Sequence, residues 1–482
     1  MVSVSLSNPR AVLGTGGESR LTALLAASVL GVYLLVVVGA TAALAEAARA
    51  CSSWPGCAGA DLSEPAVLVA LGHRAVATLV GALVLVTAVV GVRADADRRV
   101  TAALLAALAL FPVQVSVGAL VATRGAGPLV SNGHLLVGMT IFGALVLALA
   151  WHLEAETGTD DTSAVRDPDD LERPKPVDAA AESSRPSLSG VAHLRAVVGA
   201  YVQLMKPRLM WLLCLVASAG MALAATTTPG SLSVPVVTAT LGGGVLAIGA
   251  SGTYNHVLER DIDKRMERTA DRPVATHEVP VRNALAFGGL LTVAALGAFL
   301  SVNLLAAALG LAAIVFYSVI YTLVLKPNTV QNTVIGGAAG ALPALIGWAA
   351  VTGDIGLPGL TLAGVIFLWT PAHFYNLALA YRDDYERGGF PMLPVVRGET
   401  VTHKHILLYL AATLLAATVL AELTTLGWLY AATTVALGAV FLVAVVRLHY
   451  ERSEGAAFRA FHASNAYLGA LLLAIVVDAL VV

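Results

Sequence analysis

The chain has 482 residues, of which 57% are hydrophobic and 12% are charged, and its formal net charge at pH 7 is −2. Soluble domains carry about 25% charged residues. A composition this apolar, with runs of about twenty apolar residues, is typical of transmembrane helices. We therefore expect an all-α integral membrane protein. No basic arm or nucleic-acid motif is present, which excludes a nucleic-acid partner.

Four apolar runs open the chain, near residues 21–47, 66–92, 101–122 and 130–151. His73 opens the second run and His134 opens the fourth. With the N-terminus in the cytoplasm, both of these spans begin outside, so the two imidazoles lie at similar depth. Paired histidines on neighbouring helices of a four-helix bundle favour a haem with two histidine ligands. Two unrelated interfacial histidines are the alternative.

Two cysteines bracket the stretch "CSSWPGC" in the loop after the first span. This loop faces outward, where disulfides persist, and the six-residue spacing of Cys51 and Cys57 permits a small loop. We expect the two cysteines to form a disulfide.

These features resemble one half of haem A synthase over about residues 20–151. The resemblance is carried by the cysteine pair with Trp-Pro between, "GHRAVA", "QVSVGALVATRGAGPLVSNGHLLVGM" and the four spans. It implies a bundle with bound haem that contributes to haem A formation; a haem-binding electron-transfer module is the alternative. Family members usually have two such bundles, so a homo-oligomer or a haem A synthase partner would complete the unit.

The next stretch, residues 152–195, is rich in Asp, Pro and Ser and poor in apolar residues. Such a segment cannot bury a core, so we expect a flexible acidic linker on the cytoplasmic side. It divides the chain into a four-span bundle over 1–151 and a second domain over 196–482.

Nine further spans are predicted in the second domain, near residues 209–228, 233–256, 283–301, 303–325, 330–351, 357–381, 404–423, 426–447 and 462–481. With thirteen spans, the segments rich in Lys and Arg all fall on the cytoplasmic side, as the positive-inside rule requires. The prediction is a multi-pass protein of the plasma membrane.

The densest charge lies in "NHVLERDIDKRMERTADRP", residues 255–273. Asn255, Glu259 and Asp263 are spaced four residues apart, which on a helix places three oxygen-bearing side chains on one face. Such oxygens suit Mg²⁺, which binds carboxylates together with substrate phosphate oxygens. Interleaved bases suit the remaining charge of a diphosphate. A loop whose charges only set the topology is the simpler interpretation, but it leaves the helical spacing of the acids unexplained.

A second charged stretch, "YRDDYERGGFPMLP" at residues 381–394, follows the span near 357–381 on the same side. It offers Asp383, Asp384, Arg382 and Arg387. Two acidic stretches at cytoplasmic helix ends could clamp one metal diphosphate between them.

The region from about 200 to 482 resembles the protoheme IX farnesyltransferases of the intramembrane prenyltransferase superfamily. Five blocks in order carry the resemblance: "MKPRLMWLL", "NHVLERDIDKRMERTADRP", "LKPNTVQNTVIGGAAGALPALIGWAAVTG", "WTPAHFYNLAL" and "YRDDYERGGFPMLPV". It implies a nine-helix intramembrane bundle around a central cavity. It also implies transfer of a farnesyl or longer isoprenoid group from its diphosphate to a vinyl group of haem b, giving haem O for terminal oxidases, with Mg²⁺ as cofactor.

The charged stretches and this resemblance together predict the site. The expected catalytic residues are Asn255, Glu259, Asp263, Asp383 and Asp384, of which all but Asp383 would bind Mg²⁺. The expected substrate-binding residues are Lys206, Arg208, Lys264, Arg265, Arg268, Arg272, Lys326, His373 and Arg382. For His373, a haem contact and a packed, hydrogen-bonded histidine remain equal alternatives.

Two other functions remain open at this point. A prenyltransferase acting on a quinone or lipid precursor would use the same acids, and only the haem-type blocks argue against it. A non-enzymatic haem-binding protein or transporter would instead place charge at mid-membrane depth, on broken helices.

Overall fold

The computed structural model describes residues 17–40, 47, 50–51, 53–124, 127–158 and 190–481. Across these residues the secondary structure is helical, and no strand is present. Thirteen of the described helices are long and apolar enough to cross a membrane. The predicted all-α class and the predicted number of spans are therefore confirmed.

The first compact unit comprises residues 1–159 and 434–450. Its helices are α1 (Gly17–Gly39), α2 (Pro65–Arg93), α3 (Arg98–Arg124) and α4 (Pro128–Thr157). A proline opens α2 and another opens α4, where a missing N–H costs nothing. Inside the unit, Ser28 on α1 and Thr87 on α2 share a hydrogen bond of 2.9 Å. The predicted first span, 21–47, is longer than α1, which ends at Gly39; residues 41–46 lie outside the described residues.

Residues 434–450 join this first unit although the sequence analysis assigned them to the second domain. The hydroxyls of Tyr33 and Thr434 lie 2.9 Å apart inside the unit. The predicted linker also differs at its two ends, because α4 includes residues 152–157 and a helix begins at Val191. Residues 159–189, the main part of the predicted linker, lie outside the described residues.

The second compact unit comprises residues 160–433 and 451–482. The helices from residue 191 onward are α5 (Val191–Leu204), α6 (Pro207–Thr227), α7 (Val234–Leu258), α8 (Arg260–Asp263), α9 (Val281–Leu300), α10 (Leu304–Val315), a π-helix (Phe316–Leu325), α11 (Lys326–Asn328), α12 (Asn332–Thr352), α13 (Leu357–Ala380), α14 (Arg382–Arg387), α15 (Leu393–Glu422), α16 (Trp428–Glu451) and α17 (Glu454–Val481). Helix α16 runs through the boundary between the two units.

Helix α5 was not predicted, because it is apolar but, with 14 residues, too short to be recognised as a membrane span. It packs through Ala200 and Leu204 against the segment 274–284. Helix α15 begins at Leu393, earlier than the predicted start at 404, because a proline supports its first turn and a break at Gly398 (φ 78°) joins two helical pieces. These two features bring the polar segments beside the spans into defined structure.

Close helix contacts in the second unit depend on small residues. A Cβ atom on Gly220 would lie 2.4 Å from the carbonyl oxygen of Ala344, and a Cβ on Gly347 would lie 2.1 Å from that of Ala217. Helices α6 and α12 therefore touch backbone to backbone, as membrane helices do through small residues. This contact holds the helix that begins next to Lys206.

Candidate active site

The predicted row of oxygen ligands lies at the end of α7. Asn255, Glu259 and Asp263 are all buried, with exposed fractions of 2%, 4% and 2%. We predicted one continuous helix, whereas α7 ends at Leu258 and α8 begins at Arg260. The backbone N–H groups of Glu259 and Asp263 nevertheless bond to the carbonyls four residues earlier, at 3.0 and 2.8 Å. The helical spacing is thereby kept across the break.

Three basic side chains interlock with this row, and we call the six residues the acid–base cluster. Arg272 donates from Nη1 to both carboxylate oxygens of Asp263 at 2.8 Å and lies 3.7 Å from Glu259. Lys326 Nζ donates to Glu259 Oε1 at 2.5 Å. Lys206 Nζ donates to Asn255 Oδ1. Each buried acid therefore has a cation beside it, as buried charge requires.

Burial and charge shift the acid–base properties of this cluster. Burial, together with the nearby Arg272 guanidinium, lowers the pKa of Lys206 to about 7. Burial by itself would raise the pKa of Glu259, but Lys326 and Lys206 outweigh burial and hold that pKa below its usual value. The cluster therefore keeps Glu259 ionised in surroundings with little water.

Lys206 reaches the cluster through an unusual backbone conformation. It lies between α5 and α6 in the left-handed region, with φ 54° and ψ 59°. A non-glycine residue rarely adopts this conformation, and such strain concentrates at functional sites. A Cβ on Gly252 of α7 would lie 2.7 Å from the carbonyl oxygen of Leu204, so glycine is needed for this close approach. The turn thereby brings the Lys206 side chain to Asn255.

The π-helix supplies the other side of the cluster, and the sequence analysis missed it. The run "FYSVIYTLVL" reads as part of one apolar span, and its pattern gives no signal for i→i+5 bonding. Tyr317 accepts a hydrogen bond from Lys206 Nζ at 3.4 Å and stacks on Tyr321 with centroids 5.6 Å apart. Thr322 accepts one from Asn255 Nδ2 at 3.4 Å. The π-helix ends next to Lys326.

The second charged stretch contributes Asp384, which is 5% exposed. Its Oδ1 atom accepts hydrogen bonds from the backbone N–H of Glu267 at 2.8 Å and from Arg387 at 2.9 Å. Its Oδ2 atom is buried and has no partner among the described residues. The structure does not bring Asp383 to the site: it is exposed, because adjacent residues of a helix point about 100° apart. Its predicted catalytic role is not supported.

Aromatic rings that the sequence analysis did not single out line this second stretch. The Arg268 guanidinium lies 4.8 Å from the ring centroid of Tyr381 and 5.3 Å from that of Tyr385. Arg268 also donates to the Tyr385 hydroxyl at 3.3 Å. Lys326 Nζ lies 4.2 Å from the centroid of Phe390. Arg268 and Lys326 are thus positioned by cation–π contacts as well as by charge.

Other predicted substrate-binding residues have partners outside the cluster. Lys264 pairs with the exposed Asp261 at 3.7 Å, and Arg382 pairs with Glu399 at 3.4 Å. Arg208 is exposed at the start of α6. Arg265 is partly buried, with an Nε atom that has no partner among the described residues. Sequence spacing could not show that Arg272 contacts the cluster and these other bases do not, because helix breaks and loops determine where each side chain points.

His373 is packed within the second unit. It is 6% exposed, and its Nδ1 atom shares a hydrogen bond of 2.7 Å with the Ser464 hydroxyl. Its ring stacks on Trp369 and Phe461 with centroids 4.3 and 4.4 Å apart. These contacts favour the packed, hydrogen-bonded alternative over a haem contact.

The oxygen atoms of the site suit Mg²⁺, although they are not gathered into a ready cage. Within the described residues, no three His, Cys, Asp or Glu side chains form a group able to hold a metal ion. In the acid–base cluster the ammonium and guanidinium groups contact the oxygen atoms that an ion would use. The unpartnered Oδ2 atom of Asp384 and the Oδ1 atom of Asn255 are the additional hard oxygen donors that Mg²⁺ prefers. The donor set therefore fits this ion.

The first unit holds the predicted histidine pair. His134 Nε2 lies 3.3 Å from Gln114 Nε2, and a Cβ on Gly118 would lie 3.0 Å from His134 Cε1. The Nδ1 atoms of His73 and His134 are buried without a partner in the described part of the chain. Buried polar atoms are nearly always hydrogen-bonded. Two unpartnered ring nitrogens fit a pair of ligands for a haem iron.

A disulfide joins Cys51 to Cys57, with the Cα atoms 5.2 Å apart. The loop is held to α2 by Arg74, the residue after His73. Its guanidinium donates to four backbone carbonyls, those of Cys51, Ser53, Pro55 and Gly56, at 2.8–3.2 Å. The sequence analysis did not assign Arg74 a role.

Comparison with known proteins gives two family matches. The model of the UbiA prenyltransferase family matches residues 212–468. The model of a cytochrome oxidase assembly protein family matches residues 61–204. The first match covers both charged stretches and the π-helix, and the second covers both histidines.

Curated relatives extend the likeness over nearly the whole chain. Protoheme IX farnesyltransferase 1 of Natronomonas pharaonis is 68% identical over 95% of this chain and 98% of its own. The protoheme IX farnesyltransferase of Haloarcula marismortui is 64% identical over 96% and 99%. Protoheme IX farnesyltransferase 1 of Saccharopolyspora erythraea is 46% identical over 60% of this chain and 92% of its own.

Proposed function

The chain belongs to the UbiA prenyltransferase family, in the group of the protoheme IX farnesyltransferases, and we propose that it transfers a farnesyl group from its diphosphate to a vinyl group of haem b. Water completes the reaction, so that haem O and diphosphate are the products. The observation that carries this proposal is the acid–base cluster, with Asp384 as a second buried acid. It offers hard oxygens and buried cations together, and a metal diphosphate needs both.

The first step breaks the bond between the allylic carbon and the diphosphate oxygen, and the leaving diphosphate keeps the electron pair. Asn255, Glu259, Asp263 and Asp384 would hold Mg²⁺, which would supply positive charge to offset the charge that develops on the leaving diphosphate. Lys206, Lys326 and Arg272, which the fold already gathers beside the acids, turn to the diphosphate oxygens and bind the remaining charge. Such preorganised charges, in surroundings with little water, stabilise the transition state.

The ion pairs of the cluster compensate its buried charges. Each acid is paired with a base while the substrate is away, which avoids uncompensated buried charge. A metal diphosphate offers both groups a new partner, because the ion suits Asp263 and Glu259 while the phosphate oxygens suit Arg272 and Lys326.

The second step joins the allylic carbon to a vinyl carbon of haem b, and addition of water gives the hydroxyalkyl side chain. The stacked rings of Tyr317 and Tyr321 lie next to the cluster and present electron-rich surfaces to a carbocation. These half-buried rings shield the first cation from water. Water is then consumed only after the carbon–carbon bond has formed.

The protein is a multi-pass membrane protein, and the site belongs on the cytoplasmic side of the plasma membrane. This placement is supported by the positive-inside rule, which sets the ends of α7 and α13 with their Arg and Lys residues toward the cytoplasm. Farnesyl diphosphate, with its charged head and apolar tail, suits a site at such a boundary.

The first unit binds a haem through His73 and His134 and contributes to haem A formation, alone as a homo-oligomer or with a haem A synthase partner. Support comes from the unpartnered Nδ1 atoms of both rings and from the family match over residues 61–204. Two neutral imidazoles are the ligand set of a low-spin haem. A farnesylated haem made by one region is a suitable substrate for chemistry in the other.

Haem extracted from cells with and without the protein, followed by mass spectrometry, tests the proposal. We expect a species heavier than haem b by one farnesyl group and one water only when the protein is present. A farnesylated quinone or lipid, with haem b unchanged, would show instead that the acceptor is different.

A further inference from the structure

We propose that Thr322 is a positioning residue that orients the amide of Asn255, so that the amide oxygen faces the cations of the acid–base cluster. The inference rests on the proposed function, in which Asn255 is a ligand for the metal diphosphate. Thr322 and Asn255 are both buried, at 5% and 2% exposed. Sixty-seven residues separate them in the chain, and the π-helix brings them together.

A hydroxyl group has one proton to donate, and Thr322 already uses its proton in a hydrogen bond. Thr322 Oγ1 donates to the backbone carbonyl of Tyr317 at 2.8 Å. Toward Asn255 the same oxygen can therefore only accept, and it accepts from Nδ2 at 3.4 Å. An amide has a donor end and an acceptor end. Because the Thr322 hydroxyl can only accept here, the NH₂ group of Asn255 must face it.

The opposite end of the amide confirms this orientation by charge. Asn255 Oδ1 accepts from the Lys206 ammonium. In the flipped amide, NH₂ would face an ammonium, and the carbonyl oxygen would face the Thr322 oxygen, whose proton is engaged elsewhere. Both contacts would be repulsive. Thr322 and Lys206 therefore fix the same rotamer, and the oxygen remains on the side where a cation lies.

The π-helix makes this arrangement possible. Residues five apart point about 140° away from each other on an α-helix, with about 3.6 residues per turn. In the π-helix (Phe316–Leu325), i→i+5 bonding brings the Thr322 hydroxyl to the carbonyl of Tyr317. Tyr317 meets Lys206 through its own hydroxyl at 3.4 Å, and Lys326 follows at the end of the π-helix. The wide turn thus directs several groups toward one cluster.

The test measures binding of Mn²⁺, used as a spectroscopic substitute for Mg²⁺, with inorganic diphosphate to the purified full-length protein. Thr322→Val keeps the shape of the side chain and removes its hydroxyl, and we expect about fivefold to tenfold weaker binding. Thr322→Ser, which keeps the hydroxyl, should bind within twofold of the unmodified protein. The matched control is Thr418→Val, at a buried threonine whose hydroxyl donates to the Leu414 carbonyl at 3.1 Å, and it should leave binding unchanged.

A double-mutant cycle with Asn255→Asp separates positioning from general packing. A carboxylate has two equivalent oxygens and no donor end, so turning it over leaves the site unchanged and Thr322 has nothing to orient. In the Asn255→Asp protein, Thr322→Val should therefore change Mn²⁺ binding by less than twofold. An equal loss in both proteins would overturn the proposal, as would unchanged binding by Thr322→Val alone or an equal loss in Thr322→Ser.

If Thr322→Val does not fold, Thr322→Ala takes its place in the same cycle, since it also lacks the hydroxyl and needs less space. The outcome is independent of the acceptor. Coupling between the two positions in a protein that makes no haem O would uphold the positioning role and refute the proposed acceptor. Haem O formation without coupling would do the reverse.

Discussion

The acid–base cluster of the second unit and the histidine pair of the first unit differ in whether their buried polar atoms have hydrogen-bond partners. In the cluster, Asp263 has two bonds to Arg272, and Glu259 has Lys326. In the pair, the Nδ1 atoms of His73 and His134 have no partner among the described residues. The acids of the cluster are already paired with bases. In the proposed reaction these ion pairs must open when the substrate binds. The histidine pair leaves two buried ring nitrogens without a partner in the described part of the chain, which is what the proposed haem site requires.

This difference predicts different responses to mutation. Removing one charge from the cluster leaves its partner buried and unpaired, which is costly for the protein as well as for the reaction. Removing a histidine from the pair leaves no buried charge unpaired, and it should mainly take away a proposed haem ligand. Quantitative tests of the cluster are therefore clearest with substitutions that keep volume and hydrogen bonding, whereas residues of the pair can be truncated.

The largest effect is expected at Asp263. Asp263→Asn keeps the shape of the side chain and removes its charge, so it should lower haem O formation by about a hundredfold or more. Asn255→Ala and Asp263→Ala should abolish prenyl transfer while the protein still inserts. The measurement is haem O formed per unit time by purified protein from haem b and farnesyl diphosphate.

The adjacent acids Asp383 and Asp384 of the second charged stretch provide the control and a second test. Asp383→Asn, at an exposed position, should stay within twofold of the unmodified protein, whereas Asp384→Asn should fall with Asp263→Asn. Normal activity of Asp263→Asn would remove that residue from the metal site.

Much of the fold could be predicted because hydropathy is a local property. The thirteen spans follow from apolar runs, and the row at Asn255, Glu259 and Asp263 follows from a spacing of four residues. The choice of cations could not be predicted, since Lys326 lies 67 residues from its partner Glu259 in the chain. The π-helix could not be predicted either, because its bonding pattern has no distinct apolar period.

The next prediction concerns the histidine pair. In the full-length protein, the double substitution His73→Ala/His134→Ala should remove the low-spin haem spectrum completely, because both axial ligands are lost. Haem O formation should remain within twofold, since the acid–base cluster lies in the other unit. His152→Ala changes a histidine whose neighbour is Glu156, at 3.3 Å, and should leave the spectrum intact. A low-spin spectrum that survives the double substitution would contradict the ligand assignment.

A smaller effect is expected from Arg387, which bonds to Asp384 at 2.9 Å and to Glu267 at 3.2 Å. Arg387→Gln should raise the KM for farnesyl diphosphate about threefold to tenfold, because the Asp384 carboxylate keeps only its backbone donor. The Arg382→Gln variant is the comparison, since Arg382 pairs with Glu399 instead. A larger rise in KM for Arg382→Gln than for Arg387→Gln would restore the direct substrate contact that the sequence analysis assigned to Arg382.

The smallest effect is expected at Arg74, beside the histidine pair. Its guanidinium holds the disulfide loop through backbone carbonyls, among them Ser53 at 2.8 Å and Gly56 at 3.1 Å. Arg74→Gln removes these charged donors, so the loop should open more often and a soluble thiol should reduce Cys51–Cys57 about threefold faster. Prenyl transfer should not change. Arg93→Gln, at the exposed far end of the same helix, should leave the reduction rate unchanged. Equal reduction rates in the two variants would show that the loop holds its shape without Arg74.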